Sequence, residues 1–396
     1  MRGFAVREAL AMLALASLAG CGSGERLLGA ADGGDGSSSE AEASPPPPED
    51  GGLGETGWRD STEPWVPPEP ARENERGCDA FDVWSNDAAV YVLLDWYDTD
   101  GGPPFDVGQQ VLANDGSGWR DFYDVRSTSA GSCDGLGCIA GIAGMIDGRL
   151  VSGRGALAYV GPAGYAVEGG VSGTVEGVFV VNDSLAYAIW HSGGARVIRW
   201  DGSTWGPVTA VLPYESVGYI WADADHVFVV GQDGNVLSLE GGTWRIHDAG
   251  TLNSVIAVWG FSGDDVWIAT HASELRHFDG TSWTPIEWPF PPDPSDRCRE
   301  YGIHGLWGAD GVLFVWTDNR VAEWDGSAFR SLGHWPATTE VVGDVTYCHG
   351  GLWISDAWGN SPTEFFVAAH ENLDEADRRC PDSYLLYWDG TVFHWF

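Results

Sequence analysis

One short pattern constrains this chain more than any other: a turn of acidic or polar residue and glycine, two small residues, then a large aromatic. It reads NDGSGW ending at Trp119, WDGSTW at Trp205, LEGGTW at Trp244, FDGTSW at Trp283, WDGSAF at Phe329 and WDGTVF at Phe393. Trp205, Trp244 and Trp283 are each 39 residues apart, and Phe329 follows after 46. Asp-Gly between two extended runs is a strong hairpin signal, because both central residues of a type I′ turn need positive φ. Asp279-Gly280 is therefore expected to join two antiparallel strands through a type I′ turn.

Upstream of that turn, SVIAVWG and DVWIAT are apolar on both faces, as buried strands are. Four strands follow in order, over 254–259, 265–270, 275–278 and 282–286. Pro285 and its counterpart Pro207 fall in the fourth. Proline is tolerated on an edge strand, so the chain should run from an inner strand to an outer one. A period of about 40 residues built from four short strands is the signature of a β-propeller. The 86 residues from Trp119 to Trp205 make room for one degraded unit, and the 64 from Phe329 to Phe393 for one unit plus an insert. The expected fold is all-β: a seven-bladed β-propeller of four-stranded antiparallel blades over 78–396, beginning near Asp82, Cys138, Val175, Tyr219, Val255, His304 and Leu352. The only helix is expected in the last insert, near Glu371–Arg378. Trp84, Trp221, Trp259, Trp307 and Trp358 all close a first strand, a place where bulky rings fill the space between neighbouring sheets.

The first 77 residues read differently. Arg2 and Arg7 precede an apolar run from Ala9 to Ala19, as in a secretory signal peptide (1–20) too short to span a bilayer. Residues 21–77 are rich in Gly, Ser, Pro and Glu and cannot bury enough apolar surface to offset ordering. They are expected to form a disordered tether. The formal charge is −38 with no lysine, so nucleic acid is excluded as a partner on electrostatic grounds, and divalent cations or basic partners are favoured. Beyond Cys21, the six cysteines Cys78, Cys133, Cys138, Cys298, Cys348 and Cys380 suggest disulfides in an exported chain. Ring closure and loop adjacency suggest the pairs Cys78–Cys380, Cys133–Cys138 and Cys298–Cys348.

No phosphate loop, His-Glu-x-x-His or Gly-x-Ser-x-Gly motif occurs. Asp95, Asp98, Asp100 and Asp106 share one long segment, DWYDTDGGPPFD, whose hard oxygens and glycines would suit Ca²⁺; the competing reading is a solvated acidic loop. Aligning the blades places Trp96, Trp190, His191, His271, Trp316 and His370 just after second strands, together with Gln232 and Asp318. Loops on a rigid scaffold collect binding residues. Aromatic rings beside histidines would suit a sugar or peptide, and packing between blades is the alternative role for the same side chains. The function expected is a binding or scaffolding module for a protein or glycan, with a polysaccharide-acting glycosidase or lyase as the alternative.

Two resemblances add to this. Leu18-Ala19-Gly20-Cys21 resembles a bacterial lipobox, which implies lipidation of Cys21, membrane contact through that anchor alone, and, with Gly22 next, an outer-membrane or cell-surface location. The alternation of VWG…DVWIAT with LRHFDGTSW over about 80–396 resembles the propeller-repeat surface lipoproteins of Gram-negative bacteria, broadly kelch-like or galactose-oxidase-like, which implies a fold more than an activity.

Overall fold

The computed structural model describes residues 76–97, 107–127, 141–171, 173–208, 211–290, 302–342, 345–349, 351–371 and 383–395. Seven four-stranded antiparallel sheets form a ring. Blade one is β1 (Arg76–Asn86), β2 (Ala89–Tyr97), β3 (Val107–Asn114) and β4 (Trp119–Ser127). Blade two is β5 (Gly144–Ile146), β6 (Arg149–Arg154), β7 (Ala156–Gly161) and β8 (Gly164–Val167). Blade three is β9 (Thr174–Asn182), β10 (Leu185–His191), β11 (Ala195–Trp200) and β12 (Trp205–Pro207). Blade four is β13 (Val217–Ala222), β14 (His226–Gly231), β15 (Asn235–Glu240) and β16 (Thr243–Asp248). Blade five is β17 (Val255–Ser262), β18 (Asp265–Thr270), β19 (Leu275–Phe278) and β20 (Trp283–Ile286). Blade six is β21 (Ile303–Ala309), β22 (Val312–Thr317), β23 (Arg320–Trp324) and β24 (Phe329–His334). A hairpin of β25 (Thr338–Val342) and β26 (Val345–His349) precedes blade seven, which is β27 (Leu352–Ser361), β28 (Glu364–Glu371), β29 (Ser383–Trp388) and β30 (Phe393–Trp395).

Within each blade the strands pair in chain order. The first strand faces the ring axis, and the fourth, which carries Pro207 and Pro285 in blades three and five, lies outermost. Because the strands alternate in direction, the ring has two distinct faces. One carries the turns after second strands and the crossovers between blades. The other carries the hairpins after first strands and the recurring Asp-Gly loops.

Those loops are not the type I′ turns expected from the dipeptide. Phe278 pairs with Trp283, so four residues separate the strands, and Gly280 has φ 86° while Asp279 is not in the positive-φ region. The Asp279 carboxylate accepts hydrogen bonds from the Thr281 and Ser282 backbone N–H groups at 2.9 and 2.8 Å. Asp201, Asp325 and Asp389 do the same at their own positions +2 and +3. The side chain thus satisfies donors that a two-residue turn would have placed in the ladder. True type I′ geometry occurs at Asp147-Gly148 (φ 52° and 71°) and Asp310-Gly311 (49° and 80°), and in the one recurring loop that lacks the aspartate, at Gly241-Gly242 (55° and 81°), where Glu240 pairs with Thr243.

The first-strand tryptophans are packing residues. Trp307 is 1% exposed and Trp221 3%, and both belong to inter-blade cores. Blades one and seven meet without exchanging a strand. Val83, Val90, Val92, Leu94 and Leu112 of blade one pack on Phe366, Ala368, Leu385 and Tyr387 of blade seven. Across this seam the Asp356 carboxylate accepts a hydrogen bond from the Val83 N–H at 3.3 Å, and the Ser85 hydroxyl donates to Asn360 at 3.3 Å.

Among the described residues the one helical segment is a 3-10 turn at Gln232–Gly234. Glu371 ends β28 as a strand residue, and the rest of the insert expected to be helical lies outside the described residues. Residues 1–75, with the expected signal peptide, Cys21 and most of the tether, lie outside them too, as do Cys133, Cys138, Cys298 and Cys380. Cys78 and Cys348 sit in β1 and β26 with undescribed side chains. The expected pairings therefore all fall on undescribed positions.

Candidate functional site

The inner strands share an irregularity that sets the geometry of the axis. In blades three to seven the pairing of first and second strands slips by one residue near the start of the first strand. The residues skipped are Glu176, Gly218, Ile256, His304 and Ser355, and the same slip in blade one skips Phe81. A bulge leaves one residue out of the ladder and re-aims its side chain. All five skipped residues of blades three to seven line a single cavity of about 800 Å³ on the axis.

This cavity is a cup rather than a through-channel. Phe179 of blade three lies 5.9 Å from Trp259 of blade five, ring centre to ring centre, and Trp259 lies 5.6 Å from Trp358 of blade seven. Blades three and five are not neighbours, nor are five and seven, so these rings meet across the axis. Trp221 and Trp307 pack at the edge of the same layer. Val178, Ile220, Val258 and Leu306, each one residue ahead of a floor or floor-edge aromatic, are the last wall residues above it. The cup opens on the crossover face, where Glu176 and Tyr219 are exposed. Its volume falls in the range of small-ligand sites.

The richest chemistry lies on the blade six–seven side. His304 pairs with the buried Asp318 carboxylate. The ring of Trp353 stands edge-on to His304 at 5.7 Å and stacks with His370 at 6.2 Å and 15°. Trp316, 6% exposed, sits opposite Gly305 in the ladder, and its indole lies where a Gly305 side chain would be. Only glycine at 305 lets a ring from the second strand reach past the innermost one into the wall. Among the described residues the buried Trp316 indole N–H has no hydrogen-bond partner. On the remaining walls stand the carboxylates of Asp82, Glu176 and Asp356, and among the described residues no lysine or arginine lines the cup. Asp82 accepts a hydrogen bond from the Ile142 N–H at 3.0 Å, as Asp356 does from Val83, so these two acids also tie successive blades together.

Of the six residues expected to form a rim, Trp316 and His370 reach this cup. Trp190, His191, Trp316 and His370 are strand residues of β10, β22 and β28 rather than loop residues. Trp190 packs half-buried against the core between blades two and three, and His191 is half-buried beside it. His271 is exposed on a turn and does not line the cup. Trp96 and Asp95 lie in β2 with undescribed side chains, and Asp98, Asp100 and Asp106 lie outside the described residues. Among the described residues no group of three or more His, Cys, Asp or Glu is placed to hold a metal ion. His304, Trp353, Glu176, Asp82 and Asp356 were not singled out from the sequence. Their signal is a polar or aromatic residue interrupting an otherwise apolar first strand.

No protein-family model matches the sequence, and no curated protein matches it. Solved structures do. The WD40 repeats of RRP9 superpose with a TM-score of 0.52 at 11% identity, covering 82% of this chain and 99% of that one. YCF48 from Cyanidioschyzon merolae gives 0.48 at 11% identity over 79% and 95%, and the computationally designed Ika8 protein gives 0.45 at 13% over 81% and 97%. The chain is a seven-bladed β-propeller similar in fold to the WD40 repeats of RRP9.

Proposed function

We propose that this protein is a lipid-anchored, extracytoplasmic binding or scaffolding module that takes a protein or glycan group into the axial cup. The observation that carries the reading is the cup itself: blind at its aromatic floor, open on one face, and walled by His304, Trp316, Trp353 and His370. A blind cavity suits capture of a protruding group and does not suit passage through the ring. Stacking surface beside a few polar groups is the usual make-up of a ligand site. Anchorage rests on the Leu18-Ala19-Gly20-Cys21 box and the acidic, proline-rich segment behind it, which would hold the ring off a membrane at the outer surface.

Two measurements test this. Fatty-acid labelling of the expressed chain should be lost in Cys21→Ala; equal labelling of both removes the anchor. Screening protein and glycan arrays with the chain and with Trp353→Ala should give ligands whose signal the substitution abolishes. A ligand set indifferent to Trp353→Ala would place binding elsewhere on the ring and sink the cup as the site. Turnover of a polysaccharide on the same arrays would instead support the glycosidase or lyase alternative.

A further inference from the structure

We infer that the cup is filled by this chain's own residues 64–68, the run PWVPP ahead of the first blade, and that an outside partner must displace them. The inference rests on the cup being the binding site and names its resident occupant.

The first observation is where the ring begins. β1 is the innermost strand of blade one, and its Asp82 lines the cup. Asp82 pairs with Leu93 and Arg76 with Tyr97, four residues further along β2 and away from the hairpin at Asn86 and Ala89. At about 3.3 Å per residue, the start of β1 stands about 13 Å above Asp82. It stands on the crossover face, where the cup opens. The chain ahead of Arg76 is therefore delivered beside the mouth of the cup, on the axis side of blade one. Reach is ample. Trp65 lies 11 residues before Arg76, and an extended proline-rich run of that length spans up to about 34 Å at about 3.1 Å per residue.

A second, independent feature is what this stretch contains. Between Gly22 and Glu75 the only aromatic residues are Trp58 and Trp65. A segment that serves only as a spacer gains nothing from tryptophan. Trp65 stands in EPWVPPEP, where Pro64, Pro67, Pro68 and Pro70 fill half the positions. Proline presets φ, so such a run loses little freedom on docking, and aromatic-lined grooves receive it. The cup supplies that lining in Trp353, stacked with His370, in His304 edge-on to it, and in Tyr219 exposed at the mouth. Residues 64–68 carry no charge, so they enter beside Asp82, Glu176 and Asp356 without conflict, and Glu63 and Glu69 stay in water at the mouth. A short tether holds the run at an effective concentration of about 1 mM. A contact with Kd of about 0.1 mM is then filled about nine-tenths of the time, and any outside ligand binds about tenfold more weakly than it would to a vacant cup.

The test uses the full chain. Photoreactive benzoylphenylalanine placed at position 65 should, on irradiation, attach to peptides carrying Tyr219, His304 or Trp353 of the same molecule, and at position 58 it should not. Attachment elsewhere on the ring, attachment between two copies, or equal yield from position 58 would overturn the inference. This measurement leaves the cup unaltered, so it decides even where a cup variant does not fold. In a second measurement, a fluorescently labelled peptide of residues 62–72 is titrated by anisotropy. It should bind the Trp65→Ala chain about tenfold more tightly than the parent, and adding Trp353→Ala should abolish that binding. Equal affinity for parent and Trp65→Ala, or no binding to either, would also overturn it. If array ligands still depend on Trp353 in that case, the cup remains the site and only its resident segment is lost. If neither the peptide nor the array ligands depend on Trp353, both readings fall.

Discussion

Two glycines at the same place in the same loop motif carry different steric loads, and replacing each by alanine separates backbone strain from crowding. Gly280 and Gly326 both follow the capping aspartate and have φ of 86° and 94°. A side chain at either position meets the same conformational penalty, about 1–2 kcal/mol. Their surroundings differ. A Cβ at Gly326 would have no heavy atom within 4 Å. At Gly280 it would lie 2.7 Å from Asp264 Oδ1, 2.9 Å from its Cγ and 3.0 Å from its Cβ. The first atom can swing aside, but the last is fixed to the backbone of the neighbouring hairpin. That crowding adds about 1 kcal/mol. Gly326→Ala should therefore lose about 1–2 kcal/mol and Gly280→Ala about 2–3 kcal/mol. For a domain of this size each kcal/mol lowers Tm by about 2 °C. Calorimetric melting of the two variants and of Gly280→Ala combined with Asp264→Ala measures both parts. Equal losses in the two single variants, or no recovery in the double variant, would refute the contact argument. A neutral Gly326→Ala would refute the backbone argument.

Three further outcomes are expected. The Thr204 N–H beside Asp201, the Ser282 N–H beside Asp279 and the Ser327 hydroxyl beside Asp325 hold those carboxyls below the usual carboxylate range. Their folded values lie below their unfolded ones, so the stabilisation is present above about pH 4 and is lost as pH falls through the folded values. Asp325→Asn keeps an acceptor but not the charge, so it should melt below the parent at pH 7, with the gap closing between about pH 4 and pH 2. Burial pushes the His247 imidazole down, with Arg245 adding to it. The unfolded chain then binds the proton more readily, so stability falls as pH drops below about 6.5; ring NMR signals of His247 should titrate at lower pH than those of an unfolded reference. Trp259→Ala removes the central ring of the cup floor and should cost about 3–5 kcal/mol in denaturant unfolding, and a loss below 1 kcal/mol would show that the floor is not packed as described.

The architecture was legible because it repeats. Spacing of 39 residues placed the strands of blade five to within a few residues of Val255–Ser262, Asp265–Thr270, Leu275–Phe278 and Trp283–Ile286. The turn class was not legible from Asp-Gly alone. The dipeptide is the same at Asp310-Gly311 and at Asp279-Gly280, but only the second is followed by donors that fold back onto the aspartate side chain. The cup was largely hidden for a similar reason. A strand read as simple alternation assigns each residue to a face, and one skipped residue shifts every assignment before it. His304 and Glu176 are such residues, and nothing in their neighbours' composition announces the slip. Trp316 and His370 were found because they belong to second strands, where position along the repeat is enough.

The seam between blades one and seven gives the ring a thermodynamic property beyond its shape. Among the described residues, closure there rests on apolar contacts and a few hydrogen bonds, with no shared strand between the two blades. A breathing motion that parts these two blades would take the molecule from a closed ring to an open C. Asp82 stands on one side of that gap and Asp356 on the other, so the same motion takes the acidic wall of the cup apart. A ligand that touches both walls binds the closed form alone. Its occupancy and the closure of the ring are therefore linked quantities: at a concentration one hundred times Kd it would hold the ring shut by about 2.7 kcal/mol, and amide exchange along β1 and β27 would slow by the corresponding factor.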